Sequence, residues 1–138
     1  MNHILHSTFH IVKLLPALLG LTLICACTSK EQPDEMTAGE AAEGYYLLLK
    51  SGHYAAFVEG MAGIDEFPEE YRRQLQQLVE QQMQTRWRKH GQWLSIDATD
   101  VQEQDSTASV MLSITYADNT SEQILLPMIF IDDEWYMQ

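Results

Sequence analysis

The side chains able to do covalent or acid–base chemistry are few and scattered. Two thiols, Cys25 and Cys27, stand two positions apart at the end of the apolar run in "LTLICACTSK", residues 21–30, and no cysteine follows. Beyond Cys27 there are two histidines, His53 and His90. A general acid or base needs a titratable group held in a closed pocket with a shifted pKa. His53 falls at a predicted helix boundary and His90 at a helix C-terminus, where the dipole alone favours a cation. Asp97, Asp100, Glu103 and Asp105 gather around a strand end, in the manner of a solvated edge. Beyond Cys27 the chain offers no His-x-x-His pair, no Gly-rich phosphate loop and no nucleophile elbow. No motif calls for zinc or another cofactor, and the chain reads as non-catalytic.

The thiol pair admits three readings: the edge of a membrane span, a disulfide or redox pair, or a processing site. Leu14 to Ala26 would reach about 20 Å as a helix, short of the roughly 30 Å of a bilayer core. That length suits a signal-peptide core, and residues 1–13 carry Lys13 and no acid, as an n-region does. Ile24, Cys25 and Ala26 before Cys27 resemble the lipobox of bacterial lipoproteins, whose peptidase cuts before an acylated cysteine. Cys25 follows the bulky Ile24 and matches poorly. The resemblance implies a signal peptide over 1–26, an acylated Cys27 with a flexible tether over 27–36, and a domain over 37–138.

A chain starting at Cys27 holds no second cysteine, so no internal disulfide can form. Two or three acyl chains hold a protein firmly at a membrane that it does not span. The tether "TSKEQPDEM" is almost free of apolar residues and as a coil reaches roughly 17 Å. Thr28 stands where an aspartate would mark inner-membrane retention in enteric bacteria, which by analogy favours the outer membrane of the cell envelope. All 20 acidic residues lie beyond Cys27, with all of the 8 basic ones except Lys13. Such a domain is repelled by phosphate backbones, and nucleic acid is excluded as a partner.

The elements that must position any site follow from periodicity. Thr37 and Glu40 form a capping box, opening a helix with Ala41, Tyr45, Leu48 and Leu49 on one stripe and a stop near Gly52. A short helix over His53–Met61 presents Tyr54, Phe57, Val58 and Met61. After the loop "AGIDEF", Pro68 suits a first helical position, with Glu69 and Glu70 in the first turn and Arg86, Arg88, Lys89 and His90 in the last. This third helix of about 23 residues would bury Tyr71, Leu75, Leu78, Val79, Met83 and Trp87 and turn six glutamines outward, from Gln74 to Gln84. The period then changes to two. Trp93–Val101 is a first strand; Val110, Leu112, Ile114 and Tyr116 take one face of a second. After the turn "ADNTS", Glu122–Ile131 returns with Pro127 at a bulge or edge, and "DDE" leads to a last strand at Trp135 and Tyr136. The expected class is α+β: three N-terminal helices packed on a curved antiparallel sheet of about four strands.

The segments "YYLLLKSGHYAAFVEGM", "DSTASVMLSITYAD" and "MIFIDDEWYM" resemble a family of small bacterial lipoproteins of unknown function with the nuclear-transport-factor-2-like, or cystatin-like, roll. Lys50, Gly52 and Tyr54, then Asp105, Ala108, Val110 and Tyr116, then Asp132 and Trp135 carry the likeness, while His53, Asn119 and Asp133 depart from it. The resemblance implies a cone in which a curved sheet wraps the long helix and can leave a pocket. It brings no catalytic residues with it.

Candidate pocket residues are Tyr45, Tyr46, Phe57, Tyr71, Trp87, Trp93, Met111 and Trp135, against the plainer reading that such residues fill the core. Three functions follow in order: a membrane-tethered accessory module taking a small ligand or a protein partner, a structural protein dimerising through the sheet face, and a small cone-pocket enzyme. Ligand binding predicts that Ser113, Thr115 or Tyr46 points into a cavity with unmatched polar groups. A structural role predicts a filled cone and an apolar outer sheet. Replacing Cys27→Ser is expected to abolish palmitate labelling and to leave an unprocessed precursor; undiminished labelling would move the anchor elsewhere.

Overall fold

The computed structural model describes residues 35–138. Cys27, the expected signal segment 1–26 and most of the tether lie outside the described residues. Helix α1, Ala38–Lys50, begins at Thr37 with both halves of the capping box in place. The Thr37 hydroxyl accepts from the Glu40 N–H at 3.2 Å, and the Glu40 carboxylate accepts from the Thr37 N–H at 2.9 Å. Such a cap stabilises by about 1 kcal/mol. Helix α2, Tyr54–Glu59, is shorter than periodicity predicts, and Ile64–Glu66 of the expected loop forms one 3-10 turn. Helix α3, Glu69–His90, starts one residue late, because Pro68 has an extended ψ of 147° and stands as the cap.

Four antiparallel strands follow: β1 Trp93–Gln104, β2 Thr107–Tyr116, β3 Ser121–Ile131 and β4 Glu134–Met137. They pair as a meander in the order β1-β2-β3-β4. Irregularities in β1 at Trp93/Ser95 and Ala98/Asp100 bend the sheet. Asp105, Asn119, Asp132 and Asp133 take positive φ where the strands reverse. Asp132 and Asp133, at 49° and 65°, make the two-residue turn whose twist suits a hairpin. Pro127 costs no bond to β2. Its carbonyl accepts from Gln138, so its nitrogen points to the β4 side, where β4 has ended.

Ala108, Val110, Leu112, Ile114 and Tyr116 of β2 face the helices and are buried with Leu126, Met128, Trp135 and Met137. Helix α1 lies directly on this face through Ala38, Ala41, Ala42, Tyr46 and Leu49. The expected roll stands, but the helix its sheet wraps is α1 and not the long α3. The long helix α3 packs against α2 and approaches the sheet only through its C-terminal half, because α1 already occupies the concave face. In consequence Met83 is the only α3 residue fully buried; Leu75, Val79 and Trp87 are half-buried, and Tyr71 and Leu78 are exposed.

At Gly91 the chain must leave α3 and enter β1 beside the β2–β3 turn. Its φ of 80° and ψ of −178° lie in a region essentially restricted to glycine, and a Cβ there would sit 2.7 Å from that of Ala117. Gly44, on the exposed side of α1, has open space around it. The same substitution therefore acts in opposite directions. Gly91→Ala should lower stability by about 1–3 kcal/mol, and Gly44→Ala should raise it by about 0.5–1 kcal/mol, both read from urea unfolding midpoints. Equal effects would contradict this account of the α3–β1 corner.

Candidate functional site

The candidate residues divide between two hollows. The first is a cleft of about 240 Å³ where the C-terminal half of α3 stands off the sheet. Leu49, Phe57, Val79, Met83 and Ile124 make its apolar wall, and Tyr46, Trp93, Arg86 and Gln82 bring polar atoms to it. Each position has a local cause. Tyr46 and Leu49 lie one turn apart on α1, and Met83 and Arg86 likewise on α3. Trp93 follows two residues after the Gly91 corner, and its ring stacks on Tyr46 at 5.8 Å and meets Trp87 and Tyr116 edge-on at 6.5 and 6.3 Å.

A polar cluster closes one side. Arg86 Nη1 donates to Glu122 Oε1 at 2.6 Å, and the Tyr116 hydroxyl donates to the same oxygen at 2.7 Å. The Arg86 and Glu122 side chains are 43% and 33% exposed, so the pair contributes at most about 1 kcal/mol. Burial works against the Arg86 charge, yet the adjacent Tyr116 oxygen and Glu122 together raise its pKa above the ordinary arginine value. Burial also raises the Tyr46 phenol, with Arg86 opposing and Glu122 adding, and raises Tyr116, aided by its bond to Glu122. Both phenols therefore remain donors at neutral pH. Trp93 is 2% exposed, and its indole N–H, closed to solvent, bears on the Tyr116 hydroxyl and opposes the rise of its pKa, as Arg86 does; the Trp87 N–H is buried without a partner. An unpaired buried donor costs about 1–3 kcal/mol.

The second hollow is a groove of about 440 Å³ between α1 and the β3–β4 hairpin, lined by Ala41, Gly44, Tyr45, Leu48 and Trp135, with Met36 and Glu134 at its margins. The Tyr45 hydroxyl is committed there, donating to the Trp135 carbonyl at 2.7 Å.

Of the predicted pocket residues, Tyr46, Phe57 and Trp93 meet at the cleft, Tyr45 and Trp135 at the groove, and Trp87 backs Trp93. Two positions need correction. Tyr71 lines neither hollow: it is 42% exposed on the outer side of α3, stacked on Phe67, because α3 turns that side away from the body. Met111 lies on the far face of the sheet, since its β2 neighbours Val110 and Leu112 point inward. Ser113 and Thr115 share that outer face and reach no cavity. The acidic run also disperses. Asp97 and Asp100 are exposed strand residues, the Glu103 carboxylate accepts from the Ala38 N–H, and Asp105 serves a turn. Among the described residues no His, Cys, Asp or Glu group is placed to hold a metal ion. Sequence reading missed Arg86 and Glu122 as site residues. One signal was available: Glu122 shares the parity of Ile124, Leu126 and Met128 on β3, a carboxylate on the inward face.

One cluster has the residue types of a hydrolytic triad. His90 Nδ1 lies 2.9 Å from Asp118 Oδ2 and 3.3 Å from Thr120 Oγ1. Both contacts fall on one ring nitrogen, whereas a base relay needs both nitrogens. The Thr120 hydroxyl already donates to Asp118 at 2.6 Å. The cluster braces the β2–β3 turn and lines neither hollow.

Three helices on a four-stranded antiparallel meander, with a cleft between helix and concave sheet, define the nuclear-transport-factor-2-like roll. A crystal structure from Campylobacter jejuni, provisionally described as an NTF2-like transpeptidase, superposes with a TM-score of 0.58 at 11% identity, covering 70% of this chain and 92% of that one. The likeness is one of fold. No protein-family model and no curated protein matches the chain.

The turn cluster has a pH signature. The Thr120 hydroxyl and backbone N–H, then His90, lower the Asp118 pKa to about 2. A carboxylate held below its unfolded value of about 3.9 adds stability that is complete above that value and lost as pH falls toward about 2. Asp118→Asn should therefore lower the Tm at pH 6 and match the parent near pH 2. A Tm gap that persists unchanged at pH 2 would assign the effect to packing.

Proposed function

We propose that the chain is a cell-envelope lipoprotein, held by acyl chains on Cys27 in the outer membrane, whose cleft beside α3 binds a small ligand without transforming it. The observation that carries the binding reading is the open cleft itself, where the Arg86 guanidinium and the rings of Tyr46, Phe57 and Trp93 meet an apolar wall. The outer sheet face supports the same choice over dimerisation. Its inventory is mainly polar, with Asp97, Asp100, Ser109, Ser113 and Thr115 around Met111 and the exposed Leu125.

The Campylobacter neighbour is described as a transpeptidase, and peptide-bond exchange needs a nucleophile activated by a base. The hydroxyl nearest a histidine here, that of Thr120, is engaged by Asp118, so the binding reading is preferred over that one. The anchor rests on the residues before Cys27 and the tether on composition.

The test is thermal unfolding of residues 28–138 against envelope metabolites, sugars and peptidoglycan fragments. A ligand at 100 times its Kd should add about 2.7 kcal/mol, a Tm rise of several degrees for a domain of this size. A saturable rise that Arg86→Ala removes would support binding at the cleft. No rise across the panel would favour a structural role.

A further inference from the structure

The larger hollow, the groove of about 440 Å³ between α1 and the β3–β4 hairpin, has no part in the function proposed above and shares no lining residue with the cleft. Its two rings are held before anything enters. The Tyr45 hydroxyl donates to the Trp135 carbonyl at 2.7 Å, and the Tyr45 ring lies so close to Gly60 that a Cβ at that position would overlap it. Burial raises the Tyr45 phenol and the Glu134 charge raises it further, so it stays a neutral donor to that carbonyl. Trp135 is buried and packs on Phe130 with ring centroids 5.0 Å apart.

The floor of the groove is open because of one residue. Gly44 stands in the interior of α1, on the stripe of Ala41 and Leu48, and a Cβ there would meet nothing within 4 Å. A mid-helix glycine is destabilising relative to alanine, and here neither a positive φ nor a crowded neighbour calls for one. Its missing side chain leaves depth between the helix and the hairpin. Charge at the groove is of one sign. Asp133 and Glu134 line it, Asp132 precedes them in the turn, and Glu35 precedes the lining Met36. Among the described residues no Lys, Arg or His lines it; Lys50, the one base of α1, reaches the Leu94 carbonyl at the β1 margin instead. Glu134 uses one carboxylate oxygen on the Tyr136 hydroxyl at 2.8 Å and keeps the other.

We propose that this groove is a binding site, distinct from the cleft, for a small organic cation: a protonated amine carried on a single ring or a short aliphatic chain. The apolar body lies on Ala41, Gly44 and Leu48 against the rings of Tyr45 and Trp135, and the ammonium lies at the Asp133 and Glu134 carboxylates. Aromatic faces add their own attraction for a cation. The lining stretch of α1, Ala41 to Leu48, spans about 10 Å of helix, and the volume falls within the range of small-molecule sites; both suit a single small molecule better than a peptide segment. An anion of the same shape would face carboxylates with no base to offset them. A neutral alcohol would gain the apolar contacts without the charge.

The experiment is isothermal titration of the full chain in non-ionic detergent micelles with phenethylammonium, phenethyl alcohol and phenylacetate, each corrected for its heat of mixing with micelles alone. The ammonium is expected to bind at least tenfold more tightly than the alcohol, and the anion to give no saturable heat. In the double variant Asp133→Asn with Glu134→Gln, asparagine still suits the φ of 65° and the new amide oxygen can still accept from Tyr136. That variant is expected to bring the ammonium down to the level of the alcohol. Gly44→Leu fills the floor with a good helix former and is expected to abolish binding of both, with a Tm at or above that of the parent. Equal affinity for ammonium and alcohol would overturn the cation assignment, as would a preference that survives the double variant. Ammonium binding undiminished in Gly44→Leu would overturn the groove as its site. Should none of the three probes bind, this proposal fails, while the cleft stands or falls on its own Tm panel because the two hollows have no residue in common.

Discussion

The contact that most of the domain depends on is the packing of rings on Trp93. Helix α1 brings Tyr46 flat against it, α3 brings Trp87 edge-on, and β2 brings Tyr116 edge-on from the neighbouring strand. Phe57 of α2 joins through Tyr46 at 5.9 Å. Helices that touch the sheet over different lengths are thereby fixed to one point of it. Edge and offset ring pairs add about 0.5–1.5 kcal/mol each beyond their buried area. The same packing determines that the cleft exists: a ring stacked on Tyr46 and blocked by Trp87 leaves space on the side where α3 diverges.

The polarity of the cleft follows from this geometry. Helix α3 lies too far from the sheet along most of its length to bury an apolar stripe, so it is tied down by an ion pair, Arg86 to Glu122. That pair would be a poor source of stability in the open. Placed between helix and strand, it sets the spacing of the two walls and puts a cation beside a desolvated indole.

Legibility in the sequence depended on range. The capping box at Thr37 and Glu40 and the alternation of Val110, Leu112, Ile114 and Tyr116 are local signals, and both stand in the structure where periodicity puts them. The burial of α3 was not legible. Tyr71 and Leu78 repeat at helical spacing with Leu75 and Met83, yet which side faces the body is decided by α1 lying on the sheet first. Met111 differs for another reason: its parity on β2 places it opposite Val110, and alternation, not residue type, decides which face it takes. Glu122 was hidden because β3 reads as nearly continuous apolar sequence, which masks its alternation. The pairing of Arg86 with it spans 36 positions, beyond any local pattern.

Parts of both margins of the sheet are engaged by the chain itself. Along β1, the Glu43 carboxylate of α1 accepts from the Ala98 N–H at 2.7 Å, and the Lys50 ammonium reaches the Leu94 carbonyl at 3.4 Å. Along β4, Met137 exchanges backbone bonds with Gly60 and Ala62. Backbone groups used in this way are closed to strand addition, the route by which crowded β-proteins template one another into aggregates. Where the margins are engaged in this way, the faces and hollows of the domain are the places where contact with another molecule can begin.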